Sequence, residues 1–377
     1  MSQDGKSVLV TGGLGFIGSF LVDELVKLGH KVRIYDNLEP QVHTSGEIPD
    51  YVNPDAEIVQ GDIRDYDALL AAMDGIEVVF HEAAMVGMGQ SQYQIKKYVD
   101  VNTGGTANLL DIIVNHKRDD IDKMVVAASQ SSYGEGAYVC PDHGPQRPGL
   151  RDDNQLAAGK WEPQCPACGG DLEAVGISEE AERISYAIYA HTKTDQEEMV
   201  LNIGKAYNIP AVALRYFNVY GPRQSLSNPY TGVAAIFMSR IKNENPPVIY
   251  EDGDQSRDFV SVHDIVQANL LAMQKEEANY EAFNVGSGQR VSIRQVAETL
   301  EQVYGQEQLG VEITGKYRSG DTRHCFPSID KITERLGYKP SVSFLQGMEE
   351  LVAWSDGQEA VDQFEKARSE LENRGLA

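Results

Sequence analysis

Tyr189 and Lys193 stand four residues apart in the run Tyr189-Ala190-His191-Thr192-Lys193. On a helix this spacing puts a phenol and an ammonium on one face, where both can address one ligand. A phenol with a pKa of about 10 is a poor base at neutral pH. A nearby cation favours the phenolate, which can then take a proton from a substrate hydroxyl. The pair alone would equally suit a core tyrosine beside a snorkelling surface lysine.

A second group of residues is suited to binding rather than reacting. Gly12-Gly13-Leu14-Gly15-Phe16-Ile17-Gly18 follows a short apolar run and opens a helical spacing of Ile17, Leu21, Leu25 and Leu28. Gly12 allows a tight turn, Gly15 lets backbone approach a pyrophosphate, and Gly18 lets the helix lie close to the strand. The next alternating run ends in Asp36-Asn37. A carboxylate there accepts from adenosine ribose hydroxyls and repels a 2′-phosphate, which selects NAD over NADP.

A third group has ligand spacing. Cys140-Pro-Asp-His143-Gly and Cys165-Pro-Ala-Cys168-Gly share one format, with 21 residues between them. Two such knuckles can close a tetrahedral Cys₃His site, which leaves no open position and so implies a structural zinc. A redox role for the second knuckle would give Cys140 and His143 no purpose.

These groups need a scaffold. Strand-like runs at 7–10, 31–35, 57–60, 77–81, 123–128 and 211–215 alternate with helical spacing at 66–73, 100–116 and 191–207. Such alternation predicts an α/β fold with a doubly wound parallel sheet of Rossmann type over residues 1–220. Residues 134–184 break the rhythm and read as a zinc-ribbon-like insertion on the ligand face. Residues 221–377 read as a smaller, irregular C-terminal substrate lobe. It would have strands at 247–250 and 283–285, helices at 293–304 and 343–354, a helical tail from 358, and late segments free to return to the sheet.

The net charge of −24 over 377 residues speaks against nucleic acid, whose binding depends on phosphate neutralisation. No apolar run reaches membrane-spanning length and no signal-peptide pattern opens the chain, so a cytoplasmic protein without membrane contact is expected.

Taken together, the motifs resemble the extended short-chain dehydrogenase/reductase superfamily of NAD-dependent sugar-nucleotide epimerases and dehydratases, from about residue 8 to about residue 354. The resemblance implies that Gly61-Asp62-Ile63-Arg64-Asp65 turns past the adenine, and that His81-Glu82-Ala83-Ala84 passes the nicotinamide ribose. It implies a cofactor set of Gly12, Gly15, Phe16, Ile17, Asp36, Asn37, Asp62, Ile63, His81, Ala83, Ala84, Asn102, Tyr189, Lys193 and Phe217. Ser129, in Ser129-Gln130-Ser131-Ser132-Tyr133-Gly134, joins Tyr189 and Lys193 as the catalytic set. Arg215-Tyr216-Phe217-Asn218-Val219-Tyr220-Gly221-Pro222 and Arg257-Asp258-Phe259 match later signatures. They imply a nucleotide-sugar site of Ser131, Asn218, Tyr250, Arg257 and Arg318, with Tyr250 stacked on the base. Surface pairing with Asp258 and Asp321 is the competing reading of the two arginines.

By the same resemblance, 4,6-dehydratases carry an acid pair just after the catalytic hydroxyl and decarboxylases a glutamate. Here Gln130 and Ser131 stand there, and neither is a carboxylic acid. Epimerisation at carbon 4 is therefore expected ahead of dehydration or decarboxylation. A non-catalytic NAD-loaded sensor or adaptor is the reading of another class, and the intact Ser129, Tyr189 and Lys193 set counts against it. The two knuckles and the stretch 225–237 resemble the dTDP-L-rhamnose 4-epimerase subgroup. Ala187 departs from the family, many of whose members have serine there. The helices at 100–116 and 191–207 match those that pair across a two-fold axis in the family, which implies a homodimer.

Overall fold

The computed structural model describes residues 5–228, 230, 232–318 and 320–375. Seven short apolar runs pair in parallel: β1 (Ser7–Thr11), β2 (Lys31–Asp36), β3 (Glu57–Gln60), β4 (Val78–His81), β5 (Lys123–Ser129), β6 (Ala211–Tyr216) and β7 (Glu281–Val285). The spatial order is β7-β6-β5-β4-β1-β2-β3. A parallel sheet is covered on both faces, so its strands carry near-continuous apolar residues, and every residue of β5 is buried. Helices Phe16–Lys27 and Val262–Gln274 cover one face with Leu21, Leu25, Ile265 and Val266. Helices Gly105–His116 and Ile188–Tyr207 cover the other with Leu109, Ile113 and Val200. The strand order reverses between β1 and β4, and a crevice opens there beyond the carboxyl ends of the strands.

Three elements differ from the sequence expectation. The helix expected over 100–116 begins as a π-helix, Val99–Gly104, and turns α-helical only at Gly105. That wider turn contains Asn102, whose buried side chain accepts from Met85 N–H at 2.7 Å and donates to Met85 C=O at 3.1 Å and Thr192 Oγ1 at 2.9 Å. The region after Gly221 is not irregular, because Val233–Lys242 and Val262–Gln274 are helices. Val262, Ile265, Val266 and Asn269 are buried at helical spacing, with a polar residue interrupting the apolar stripe. The strand expected at 283–285 starts at Glu281 and forms the sheet's edge as β7.

The insertion holds a small antiparallel sheet of Ala137–Cys140, Gly144–Gln146 and Glu173–Val175, and a one-turn helix, Asp153–Ala157. Its own apolar cluster is only Tyr138, Cys140, Cys165 and Leu172, with Ala174 packed against it. Among the described residues, no helix is long and apolar enough to cross a membrane.

Candidate active site

One large cleft of about 580 Å³ runs across the carboxyl ends of the strands. At one end lies the glycine turn. Gly12 has φ +72°, and a Cβ there would stand 2.9 Å from Ala83 N. That close approach is why the turn needs glycine. Helix Phe16–Lys27 starts at Gly15 with no side-chain cap, so its first N–H groups remain available to an anion. Asp36 lines the same cleft and accepts from Leu14 N–H at 3.1 Å and Leu38 N–H at 2.9 Å, one on each carboxylate oxygen. The remaining lone pairs can serve ribose hydroxyls. An uncapped helix end, a glycine cradle and a fixed carboxylate at this spacing fit a dinucleotide.

Phe16, Ile17, Asn37, Ile63, Ala83, Ala84 and Phe217 also line the cleft. Asp62, His81 and Asn102 are not among its lining residues. Asp62 takes Arg64 at 2.6 and 2.8 Å and Asn37 at 2.9 Å, and the Arg64 guanidinium holds its carboxyl well below the usual range. His81 is buried between Thr11 and Thr106, 2.8 and 2.9 Å away, and burial pushes it down to about 3. Asn102 ties the Met85 backbone to Thr192, so it shapes the wall from behind.

The reactive residues come together at the middle. Ser129 ends β5 and caps the 3₁₀ turn Gln130–Tyr133. Its hydroxyl oxygen accepts from Ser131 N–H at 3.2 Å and Ser131 O–H at 3.0 Å. Two accepted bonds leave its own proton free to donate, and Ser129 is hydrogen-bonded to Tyr189. Burial raises the Tyr189 phenol above its ordinary value, and the Ser129 bond opposes that rise. Lys193, one turn on, donates to Ala127 C=O at 2.8 Å. Burial lowers the Lys193 ammonium and the Glu82 carboxylate opposes it.

Glu82 was not anticipated as a site residue. It lines the cleft, and Tyr216 Oη donates to it at 2.8 Å while Asn269 donates to Tyr216 at 2.7 Å. Loss of solvent pushes Glu82 upward, against the pull of Tyr216 and Lys193. The available signal was an acid directly after an apolar strand, at the edge where ligands bind.

Ser131, Asn218 and Arg257 also line the cleft. Arg257 donates to the carbonyls of Ser256 at 2.8 Å, Thr322 at 2.6 Å and Arg323 at 3.1 Å. Tyr250 and Arg318 lie outside the cleft lining, stacked on each other with the guanidinium carbon 4.1 Å from the ring centre. Burial raises the Asp321 carboxyl and both Arg318 and Arg257 oppose that rise, so the two arginines lie near this acid. Asp258 instead accepts from Ser287 and Gln289 N–H groups.

In the insertion, the ligand atoms of Cys140, His143, Cys165 and Cys168 lie within 4.8 Å of one another. Cys140 Sγ is 3.4 Å from His143 Nδ1 and 3.8 Å from Cys168 Sγ, and Cys165 Sγ is 3.7 Å from His143 Nδ1. A tetrahedral zinc with bonds of about 2.3 Å to sulfur and 2.0–2.1 Å to nitrogen needs S···S of about 3.8 Å and S···N of about 3.5 Å. Gly144 and Gly169, which follow the knuckles, have φ of +69° and +72°. The donor set and its spacing fit a closed zinc site.

Residues 8–151 match the model of the NAD dependent epimerase/dehydratase family, and residues 168–351 match that of GDP-mannose 4,6 dehydratase. A dTDP-L-rhamnose 4-epimerase of Burkholderia thailandensis is 35% identical over 355 residues, which cover 93% of this chain and 95% of that protein. The structure of a UDP-N-acetylglucosamine 4-epimerase from Methanobrevibacter ruminantium M1, in complex with UDP-N-acetylmuramic acid, superposes with a TM-score of 0.76 at 30% identity. The match covers 94% of this chain and 100% of that one. A UDP-glucuronic acid 4-epimerase from Bacillus cereus, in complex with UDP-glucuronic acid and NAD, gives 0.74 at 26% identity over 92% and 98% of the two chains. With relatives matched over nearly its whole length and the dinucleotide turn at its start, the chain belongs to the NAD-dependent epimerase/dehydratase family.

Proposed function

We propose that this chain is an NAD-dependent sugar-nucleotide 4-epimerase acting on dTDP-L-rhamnose or a related nucleotide hexose. One observation carries the reading: Ser129, Tyr189 and Lys193 meet in the cleft that holds the dinucleotide turn, and the loop after Ser129 supplies no carboxylic acid. Bound NAD would supply the hydride acceptor and donor at sugar carbon 4. Tyr189 Oη takes the proton of the carbon-4 hydroxyl and later returns it. Ser129 donates to the same oxygen and holds the ketone between the two half-reactions. Lys193 binds the nicotinamide ribose and adds positive charge near Tyr189. The hexose must present either face of its ketone, so the nucleotide is gripped separately, by Asn218 and Arg257 in the cleft; Arg318 and Tyr250, stacked on each other outside its lining, would have to part to join that grip.

The relatives support this reading, since those compared act as 4-epimerases by name and two were solved with nucleotide sugars. We further assign a structural zinc to Cys140, His143, Cys165 and Cys168, on the donor spacing. A cytoplasmic homodimer completes the proposal. Ile95 and Val99 are exposed apolar residues on the run leading into helix Gly105–His116, where a partner's helices would cover them. The test is a product screen by NMR over dTDP-, UDP- and GDP-sugars, with absorbance of reduced nicotinamide followed during turnover. Carbon-4 epimers with transient absorbance are expected. A dehydrated or decarboxylated product would replace the reading with the corresponding alternative.

A further inference from the structure

A charge network outside the cleft joins the insertion to the distal lobe, with Arg151, Glu251 and Arg323 buried and Glu162 and Asp252 partly exposed at its edge. Arg151 grips Glu251 with two parallel bonds of 2.8 and 2.9 Å, and both side chains are 1% exposed. Glu251 also accepts from Arg323 at 3.0 Å. Arg323 holds Asp252 at 2.6 and 2.9 Å and Glu162 at 2.6 and 2.9 Å. Glu162 reaches His324 at 2.9 Å through its second oxygen. Arg151 and Glu162 belong to the insertion, and Glu162 lies three residues before Cys165. Glu135, at the insertion's root, accepts from the Arg323 and His324 N–H groups at 2.8 and 3.1 Å.

The gripped segment, residues 321–324, is the one that aims Arg257. Arg257 donates to the Thr322 and Arg323 carbonyls, and Arg151 donates to the Asp321 carbonyl at 2.9 Å. A buried ion network gains little net stability over apolar packing, because desolvation consumes most of the Coulomb energy. What it can provide is one fixed geometry. We infer that Arg151, Glu162 and Arg323 are positioning residues: through the carbonyls of 322–323 they hold Arg257 in place for the diphosphate of the nucleotide sugar. The insertion thus sets nucleotide affinity without touching the ligand. This rests on the reading of Arg257 as a diphosphate ligand.

The experiment is calorimetric titration of the NAD-loaded protein with dTDP and with UDP, on the wild type, Glu162→Gln, Arg257→Ala and the double variant. Arg257→Ala is expected to weaken binding about thirtyfold or more. Glu162→Gln, which removes charge but not shape, should weaken it about three- to thirtyfold, the range for coupling through a contiguous network. Bound NAD, read by absorbance, should stay at the wild-type level. In the Arg257→Ala background, Glu162→Gln should add less than about twofold, because its route to the ligand is gone. A purely structural role would give additive losses, which would overturn the inference. Wild-type affinity in Glu162→Gln alongside a weakened Arg257→Ala would also overturn it, with the diphosphate reading left standing. No loss in Arg257→Ala would refute that reading itself and the relay with it. Asp252→Asn loosens Arg323 from the other side and should shift affinity in the same direction as Glu162→Gln. An unchanged affinity there would equally count against the relay.

Discussion

Replacing Gly18 by alanine would put a methyl group between the dinucleotide turn and the helix that follows it. The new Cβ would stand 2.9 Å from Gly13 Cα and 3.0 Å from the Gly12 carbonyl carbon, and nearer still to the Gly12 carbonyl oxygen. Non-bonded carbons settle about 3.5–4.0 Å apart, and the still tighter contact with the Gly12 carbonyl oxygen means that the helix must withdraw by roughly 1 Å. All three obstacles are backbone atoms, and no side-chain rotation relieves them. Overpacking of this kind costs about 1–3 kcal/mol. For 377 residues the unfolding entropy is about 0.8 kcal/mol/K, so the melting midpoint should fall by only about 1–4 °C. Cofactor binding should suffer more, because the withdrawn helix carries the N–H groups that face the pyrophosphate. A displacement near 1 Å in a binding site costs up to about a hundredfold. Thermal denaturation and NAD calorimetry on the same preparation separate the two effects. Gly15→Ala is the control, since its Cβ would meet only the Gly12 carbonyl oxygen, at 3.3 Å. It should lose NAD affinity with an unchanged midpoint. NAD affinity within twofold of wild type in Gly18→Ala would refute the argument that helix–strand spacing sets this site.

Four further outcomes are expected. Tyr189→Phe should retain fold and NAD but lose about 10²–10⁴ in kcat, the worth of a positioned proton acceptor, and near-normal turnover would assign the base elsewhere. Asp36→Ser should let NADP compete with NAD, since the repelling carboxylate is gone; unchanged discrimination in a paired titration would contradict the role given to Asp36. Glu82 raises the Lys193 ammonium, so Glu82→Gln should lower it and move the alkaline fall of kcat/KM to lower pH. A limb that stays put or moves upward would remove Glu82 from the electrostatics of the site. Metal analysis of freshly purified, chelator-free protein should find about one zinc per chain, and Cys168→Ser should lower it; less than about a tenth of an equivalent in the wild type would sink the assignment.

The parallel core was legible because its strands are short apolar or alternating runs closed by glycine or acidic turns, as at Thr11–Gly12 and Asp36. That Ser129, Tyr189 and Lys193 share one cleft was legible because Tyr189 and Lys193 are near in sequence and Ser129 ends a strand. What escaped depended on partners distant along the chain. The helix at Val262–Gln274 mixes buried Asp264 and Asn269 into its apolar face, and their partners across the chain are Ser341 and Val342 for Asp264 and Tyr216 for Asn269. The π-turn at 99–104 follows from what Asn102 must reach, not from local propensity. Glu82 and the Arg151–Glu251–Arg323 network likewise join segments 72–134 residues apart, where single-sequence patterns carry no information about pairing.

The position of β7 bears on how the chain assembles during synthesis. Residues 281–285 pair with 212–216, so one edge of β6 stays bare until about 65 more residues have been made. At roughly 5–20 residues per second, that is an interval of about 3–13 s. Throughout it, Ala211–Tyr216 presents a buried-type apolar strand with unpaired N–H and C=O groups, the kind of edge that invites pairing with another chain. Folding to the final topology is therefore governed by a late, non-local closure, and substitutions in Glu281–Val285 bear on yield before they bear on catalysis.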